Sequence, residues 1–241
     1  NPISALKMKE GAYPVLVTVR QKNNILVEKE SMLIVMPDFE KKTYSPLAVA
    51  FLLNFNERVH FNSEGVFLDE KLQEEIKDTG TGSNKYIKHL STLLKHSDTK
   101  INIALNPVLV QQLVDIGKGY KVYKGKKIVK VSPSGPEAQG ARDIIEKLKE
   151  VYDSERVEFI STPYANPSFS SLSNKGWANN ISSHLDAGKK VFTKTFGFGF
   201  ESKGILSSVS FSTSAIAPIT KNDFDYVILS ENDFGNILKE K

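Results

Sequence analysis

Several apolar segments of the chain end in polar side chains that could bind a ligand or act on one. The clearest case is the loop Thr162-Pro163-Tyr164-Ala165-Asn166-Pro167, which follows an apolar segment. Its two prolines restrict the backbone around an aromatic ring and an amide, which a passive turn does not need. Comparable positions after other segments hold Asn54, Asn56, Glu57, His60, Asn106, Ser208, Ser210, Ser212, Glu231, Asn232 and Asp233.

Amides, hydroxyls and flat aromatic rings are groups that suit sugars. Amides and hydroxyls offer neutral hydrogen bonds in both directions, and aromatic rings pack against the C–H faces of pyranoses. The aromatic residues near the polar groups are Tyr164, Trp177, Phe196 and Phe198. We therefore predict a ligand-binding site formed by Asn54, Asn56, Asn106, Thr162, Tyr164, Asn166 and Asn232.

Acid–base catalysis on sugars would need paired carboxylates. A retaining glycosidase places two of them about 5–5.5 Å apart. The candidate catalytic residues at predicted strand ends are Glu57, Glu158, Glu231 and Asp233. A catalytic pair would combine Glu231 or Asp233 with Glu57 or Glu158.

Other kinds of site find less support. The chain has no cysteine, which excludes disulfides and thiolate chemistry. It has no Gly-x-Ser-x-Gly nucleophile motif. His89 and His96 stand seven residues apart on one predicted helix and His184 on another, a spacing that does not predict a zinc site. No metal or other cofactor is predicted.

The elements that would position these side chains alternate between strands and helices. Strands are predicted at 47–53, 101–105, 157–162, 191–195, 205–210 and 226–229, and helices at 69–78, 84–96, 108–116, 137–152, 177–187 and 214–222. Such alternation predicts parallel βαβ units, and the carboxyl ends of parallel barrel strands share one face. Gly197 and Gly199 lack the third glycine of a dinucleotide-binding loop.

The predicted fold class is α/β. At 241 residues the chain is short for a complete eight-stranded barrel with an additional arm. We expect an incomplete or seven-stranded parallel (β/α) barrel with an N-terminal β-hairpin arm. The arm comprises residues 1–40, read as the end of a β-sandwich module, and the barrel-like domain residues 41–241. Residues 13–20 and 25–36 are the hairpin strands, and Pro37 to Pro46 a linker.

Charge and composition limit the partners. The net charge is +4, and the densest basic run, Lys121 to Lys130, is interpreted as a solvated hairpin. No nucleic-acid-binding motif accompanies it, so no nucleic-acid partner is expected. No apolar run reaches the ~18–20 residues of a membrane span. The start at Asn1 indicates a part of a longer polypeptide, and the lack of cysteine is common in exported bacterial proteins, so an extracellular or cell-surface location is expected.

Two segments carry a family resemblance. The segment VEFISTPYANP at 157–167 resembles a strand-and-loop motif of glycoside hydrolase family 57 and related deacetylase-type (β/α)7 barrels, and IALNPVLVQQL at 103–113 resembles the strand and helix that precede it. With 47–56 and 226–229, the similarity covers roughly residues 45–235. The hairpin from Gly11 onward resembles the end of an immunoglobulin-like module, as found ahead of such barrels in cell-surface proteins of Gram-positive bacteria.

The sequence departs from that family where the chemistry would lie. The resemblance implies a nucleophilic Glu after the strand that follows the Pro-Tyr loop, but residues 204–212 contain no carboxylate. The family's opening His-Gln-Pro is replaced by Asn54-Phe55-Asn56. We therefore expect a cell-surface barrel that binds a glycan or a cell-surface partner without hydrolase activity. The alternative is a carbohydrate-active enzyme, a glycosidase or polysaccharide-modifying hydrolase, with a relocated carboxylate pair.

Overall fold

A computed structural model describes residues 11–21, 24–35, 50–77, 84–96, 100–197, 202–207, 209–230 and 232–234. The chain divides into two compact units, residues 1–49 and 50–241, and each is described by itself.

The first unit contains a β-hairpin. Strands β1 (Gly11–Gln21) and β2 (Asn24–Val35) pair antiparallel, from Gly11 opposite Val35 to Gln21 opposite Asn24. The register shifts between Val19 and Arg20, where a bulge adds one residue to the second strand. The predicted hairpin arm is confirmed. The predicted linker and the boundary at residues 40 and 41 lie outside the described residues.

The second unit alternates strands and helices. In chain order its elements are β3 (Leu52–Phe55), β4 (Val66–Phe67), α1 (Lys71–Ile76), α2 (Lys85–Lys95), β5 (Ile101–Leu105), α3 (Pro107–Gly117), β6 (Tyr120–Lys124), β7 (Lys127–Val131), α4 (Pro136–Asp153), β8 (Val157–Ser161), α5 (Phe169–Asn174), α6 (Ala178–Phe196), β9 (Gly204–Leu206), a 3₁₀ turn (Thr213–Ala215), α7 (Ile216–Lys221) and β10 (Tyr226–Ile228).

The central sheet is parallel and is wound in one direction. Its strands lie in the order β3-β5-β8-β9-β10, which is also their order along the chain. Each new strand is added on the same side of the previous one. When the connections between such strands are right-handed, all of the connecting helices lie on one face of the sheet. A doubly wound sheet would instead reverse its direction. The predicted α/β class is confirmed, and the described residues supply five strands of an incomplete barrel.

The helices form a continuous layer: α2 packs against α4, α4 against α3, α3 against α6, and α6 against α7. The main core lies between this layer and the sheet, where Phe55, Leu105 and Phe159 meet Leu113 and Leu148. The other face of the sheet carries a smaller apolar cluster of Ala104, Ile160 and Leu206. Burial on both faces explains the consecutive apolar residues Ile103–Leu105 of β5 and Phe159–Ile160 of β8.

The predicted strand at 191–195 is wrong, because these residues belong to α6. The alternation of β-branched and polar residues there is typical of a strand, but a helical stripe of Ile181, Leu185 and Phe192 overrides it. Gly188 continues this stripe where α6 crosses the start of α3. A Cβ at Gly188 would lie 3.0 Å from Cγ of Pro107, so a small residue is needed at this crossing.

A second, small sheet extends the unit. It has the order β4-β6-β7, with β4 parallel to β6 and β6 antiparallel to β7. The Lys121 to Lys130 run thus forms the predicted hairpin. Strand β4 was not predicted, since two residues show no periodicity. It is held by Phe67, whose ring meets Tyr120 edge-to-face at 5.4 Å.

Gln73 of α1 is a buried amide. Its side chain is enclosed at 1% exposure, and among the described residues neither Oε1 nor Nε2 has a hydrogen-bond partner. We predict that Gln73→Leu raises the free energy of unfolding by about 1–3 kcal/mol, because an unsatisfied buried amide is removed. Urea unfolding measures the change.

Gln112 is the matched control. It is equally buried, but its Oε1 accepts from the His60 N–H at 2.6 Å and its Nε2 donates to the Arg58 carbonyl at 3.0 Å. Gln112→Leu is therefore expected to lower the stability. A loss of stability in both variants would contradict the assignment of Gln73 as unsatisfied.

Candidate functional site

The carboxyl ends of the five strands lie at one edge of the sheet, called here the carboxyl edge. The Asn106 N–H donates to the Phe55 carbonyl at 3.0 Å, so the ends of β3 and β5 are adjacent. The Ser207 N–H donates to the Ile228 carbonyl at 3.1 Å, so the ends of β9 and β10 are adjacent too. The polar residues that follow these strands therefore share an edge, as the sequence predicts.

Asn106 and Thr162 brace the centre of this edge. Asn106 Nδ2 donates to Thr162 Oγ1 at 2.9 Å, and Asn106 Oδ1 accepts the Leu109 N–H at 3.0 Å as the N-cap of α3. Both side chains are buried. The polar atoms of these two predicted ligand-binding residues are used within the protein, so both residues position the edge.

The loop 162–167 is held in an unusual backbone conformation. The Asn166 N–H donates to the Pro163 carbonyl at 2.8 Å and closes a turn, in which Ala165 and Asn166 have φ of 55° and 51°. Asparagine tolerates this left-handed region, but alanine seldom adopts it. Such conformations persist only where the surrounding structure enforces them, and they concentrate at functional sites.

Tyr164 of this loop is anchored to two helices. Its hydroxyl donates to Gln111 Oε1 of α3 at 2.8 Å, and its N–H donates to the carbonyl of His184 in α6 at 3.3 Å. Nδ1 of His184 in turn contacts the Tyr164 carbonyl. Burial and the nearby charge of Asp115 raise the pKa of Tyr164, which keeps the phenol protonated. Its ring is half-buried, so one part still faces the edge.

The end of β3 is open to solvent. Asn54 and Asn56 are exposed and line a cavity of about 240 Å³ together with Lys85, Tyr86 and His89 of α2. The sequence analysis did not include these three helix residues in the site. The signal that could have found them is spacing, because Lys85 and His89 stand one helical turn apart on α2, the second helix after the strand. Burial and the charges of Glu57 and Glu75 raise the pKa of Tyr86.

His60 is buried beside the same strand, between two carboxylates. Its Nδ1 lies 2.8 Å from Asp69 Oδ1 and its Nε2 lies 3.1 Å from Glu57 Oε1. A protonated imidazole donates to both at once. Arg58 also binds Asp69, at 2.8 Å. Glu57, a candidate catalytic residue, is thus part of an internal cluster with His60.

Of the other candidate catalytic carboxylates, Asp233 follows the strand at the opposite edge of the described sheet from Glu57. Asp233 follows β10 and accepts hydrogen bonds from the Phe211 N–H at 3.2 Å and from Ser230 Oγ at 2.7 Å. Strands β3 and β10 are four strand spacings apart, roughly 19 Å along the sheet. Glu231 lies outside the described residues.

The placement of Glu158 at a strand end is wrong. It is the second residue of β8, near the amino end, where the Tyr226 hydroxyl donates to it. The predicted strand at 157–162 already placed Glu158 at its second position, and the structure agrees, so Glu158 lies far from the carboxyl edge. Phe196 is also misplaced: it is the last residue of the 19-residue α6 and packs on Phe192, away from the carboxyl edge.

Two loops at the carboxyl edge share the motif Ser-Phe-Ser and join through it. Ser168 and Ser210 hydrogen bond, and the rings of Phe169 and Phe211 meet edge-to-face at 6.3 Å. Asn232 is exposed here, and Ser208 and Phe198 lie outside the described residues. The exposed apolar side chains contributed by these loops and their neighbours are Trp177, Val209 and Phe234.

The part of the chain that the structure describes holds no group of three or more His, Asp or Glu residues suited to bind a metal ion. Within the same residues, no helix combines the length and apolarity needed to cross a bilayer.

The fold is that of an incomplete parallel (β/α) barrel, in which the strands follow their order in the chain. Polar loops lie at the carboxyl ends of these strands. Residues 39–241 match the family model described as Glycosyl hydrolase family 57. The chain belongs to this family.

Similar solved structures include 4-alpha-glucanotransferase from Thermococcus litoralis, with 12% identity, a TM-score of 0.47, and 77% of this chain and 22% of that chain covered. The alpha-amylase AmyC from Thermotoga maritima has 13% identity, a TM-score of 0.48, and coverage of 75% and 39%. IcaB from Ammonifex degensii has 11% identity, a TM-score of 0.33, and coverage of 74% and 82%. The chain thus spans less than half of the first two structures. No curated protein sequence matches it.

The His60 cluster predicts a pH-dependent contribution to stability. Partial burial raises the pKa of Asp69, but hydrogen bonds from His60 and the Lys71 N–H outweigh it and leave the pKa lowered. A carboxyl whose pKa is lowered on folding stabilises above its unfolded pKa, and the contribution is lost as pH falls through the folded value. We expect Asp69→Asn to cost about 0.2–1 kcal/mol at pH 7, typical of a solvent-screened pair, and less below pH ~4.

A double-mutant cycle identifies the source of this effect. In a His60→Gln background, Asp69→Asn is expected to have a smaller effect at pH 7, because the largest of the contacts that lower the pKa of Asp69 is absent, while the Lys71 N–H and Arg58 remain. Urea unfolding between pH 3 and 7 provides the comparison. Equal effects of Asp69→Asn in both backgrounds would show that His60 is not the cause.

Proposed function

We propose that the carboxyl edge of this domain binds a saccharide and does not hydrolyse it. The observation that carries the proposal is a contrast between the polar groups at this edge. Two amides are exposed to solvent, whereas two carboxylates are hydrogen-bonded to other parts of the protein. Asn54 and Asn56 are exposed at a cavity, whereas Glu57 and Asp233 are engaged by neighbours within the protein.

The chemistry of the open groups supports a neutral or weakly polar ligand. The amides of Asn54 and Asn56 donate and accept, and Lys85 and His89 add nitrogen donors at the same cavity. Trp177, which is 52% exposed, offers a flat ring to a sugar face. Membership of a glycoside hydrolase family makes a saccharide the class of ligand that fits these groups.

The distribution of carboxylates argues against hydrolysis. Hydrolysis with retention requires a nucleophile and an acid about 5–5.5 Å apart. Residues 204–212, where the family resemblance implies the nucleophile, contain serines and no carboxylate. A neutral hydroxyl does not replace a charge placed to stabilise the oxocarbenium-like transition state.

The cellular setting is also a proposal. We place the domain on the outside of a bacterial cell, preceded by an immunoglobulin-like module that ends in the β1–β2 hairpin. The antiparallel hairpin in a separate unit supports the module, and the absence of cysteine from the sequence is compatible with the location.

The ring of Tyr164 provides the test of binding. On a panel of immobilised neutral oligosaccharides, Tyr164→Ala is expected to weaken binding by about 1–3 kcal/mol, because a partly buried ring and its hydrogen bond are lost. Tyr164→Phe keeps the ring and removes only the hydroxyl that binds Gln111, so it is expected to retain most of the affinity. A blank panel for the unmutated domain would contradict saccharide binding.

Turnover is tested separately. We expect no release of reducing sugar from α-glucans or from the oligosaccharides of the same panel, since the described carboxylates form no catalytic pair at this edge. Sugar release that disappears in Glu57→Gln, Asp233→Asn or Glu231→Gln would support the enzyme alternative and contradict the proposal. Circular dichroism confirms that each variant is folded.

A further inference from the structure

The β6–β7 hairpin presents a basic outer face. Opposite residues of an antiparallel pair lie on the same face, and Lys121 is paired with Lys130 and Tyr123 with Ile128. On the opposite face, Tyr120 and Val122 of β6 are buried. The lysine face, defined as Lys121, Tyr123, Ile128 and Lys130, therefore combines two ammonium groups with an aromatic ring and an aliphatic side chain.

This arrangement is unfavourable for the isolated domain. Like charges directly opposite each other on neighbouring strands destabilise the pair. Lys124, on the other face of the hairpin, has a counter-ion, since it lies 3.2 Å from Glu70. Among the described residues, neither Lys121 nor Lys130 forms an ion pair. Ile128 is also 49% exposed, so the face leaves both its charges and its apolar surface uncovered.

A cavity of about 550 Å³ adjoins the lysine face. Lys118, Lys121 and Lys130 line it, together with the carboxylates of Glu64 and Asp115. Three lysines thus line one concave region, and two carboxylates limit its net positive charge. This composition favours a partner whose negative charges are spaced apart rather than densely packed.

We propose that the lysine face binds an acidic polysaccharide. Carboxylate or sulfate groups on the chain would pair with Lys121 and Lys130, and a sugar ring between them would pack on Tyr123 and Ile128. Nucleic acid fits less well, because duplex DNA carries one charge per ~1.7 Å of its axis, which would bring phosphates against Glu64 and Asp115. The choice of a saccharide rests on the proposed function, but the surface is separate from the Asn54–Asn56 cavity.

The test uses polygalacturonate as the probe and the complete 241-residue chain. Binding is measured by titration calorimetry at several salt concentrations. The unmutated chain is expected to bind, more weakly as salt increases, because exposed charges are screened. Lys121→Gln combined with Lys130→Gln is expected to weaken binding roughly tenfold, and the two Lys→Arg changes to retain it.

The matched control removes the same charge from another surface. Lys149 and Lys190 are exposed on α4 and α6, so the pair Lys149→Gln and Lys190→Gln should leave polygalacturonate binding unchanged. Equal weakening by both pairs would show a nonspecific charge effect and overturn the proposal. Absence of binding by the unmutated chain, or tighter binding of a DNA duplex at the same salt, would also overturn it.

The two proposals can fail independently. The Lys121→Gln and Lys130→Gln variant is expected to keep its binding to neutral oligosaccharides, and Tyr164→Ala is expected to keep its binding to polygalacturonate. Loss of polygalacturonate binding in Tyr164→Ala, with the fold intact, would place the acidic ligand at the carboxyl edge and overturn the separate lysine face.

Discussion

The second unit depends on one buried amide, that of Asn106. Its side chain binds Thr162 at the end of β8 and caps α3, while its backbone N–H binds the end of β3. Three neighbouring strands and one helix are thus joined at a single residue that is fully enclosed. A buried amide needs a partner for each of its polar atoms. Displacing any one of these elements would therefore leave a buried polar group without a hydrogen bond. The spacing of the strand ends is therefore tightly constrained.

The carboxyl edge has a closed centre and open flanks. Its centre, at Asn106 and Thr162, is closed and uses its polar atoms internally. Towards β3 the edge opens into the Asn54–Asn56 cavity, and towards β10 it carries exposed apolar side chains on loops joined by serine hydrogen bonds. The hydrogen bonds of the closed centre thus set the separation between the two open flanks.

Sequence patterns predicted the elements better than their contacts. The Asn-Pro dipeptide at 106 and 107 indicated both the end of a strand and the start of a helix, and both are present. The prediction of a strand at 191–195 was wrong because these residues continue a helix. The buried apolar face of that helix begins ten residues earlier, at Ile181. The pairing of His60 with Asp69 was beyond prediction, since it depends on how a loop with little periodicity folds back.

The identical order of strands in the chain and in the sheet has a consequence for synthesis. When β5 emerges from the ribosome, its neighbour β3 has already been made, and the same holds for β8, β9 and β10. Among the described strands, only β3 must wait for a later strand, β5, before it can pair. Domains whose neighbouring strands are distant in sequence expose unpaired edges for longer and aggregate more readily. The central sheet can instead grow by one strand and one helix at a time, starting from its N-terminal edge.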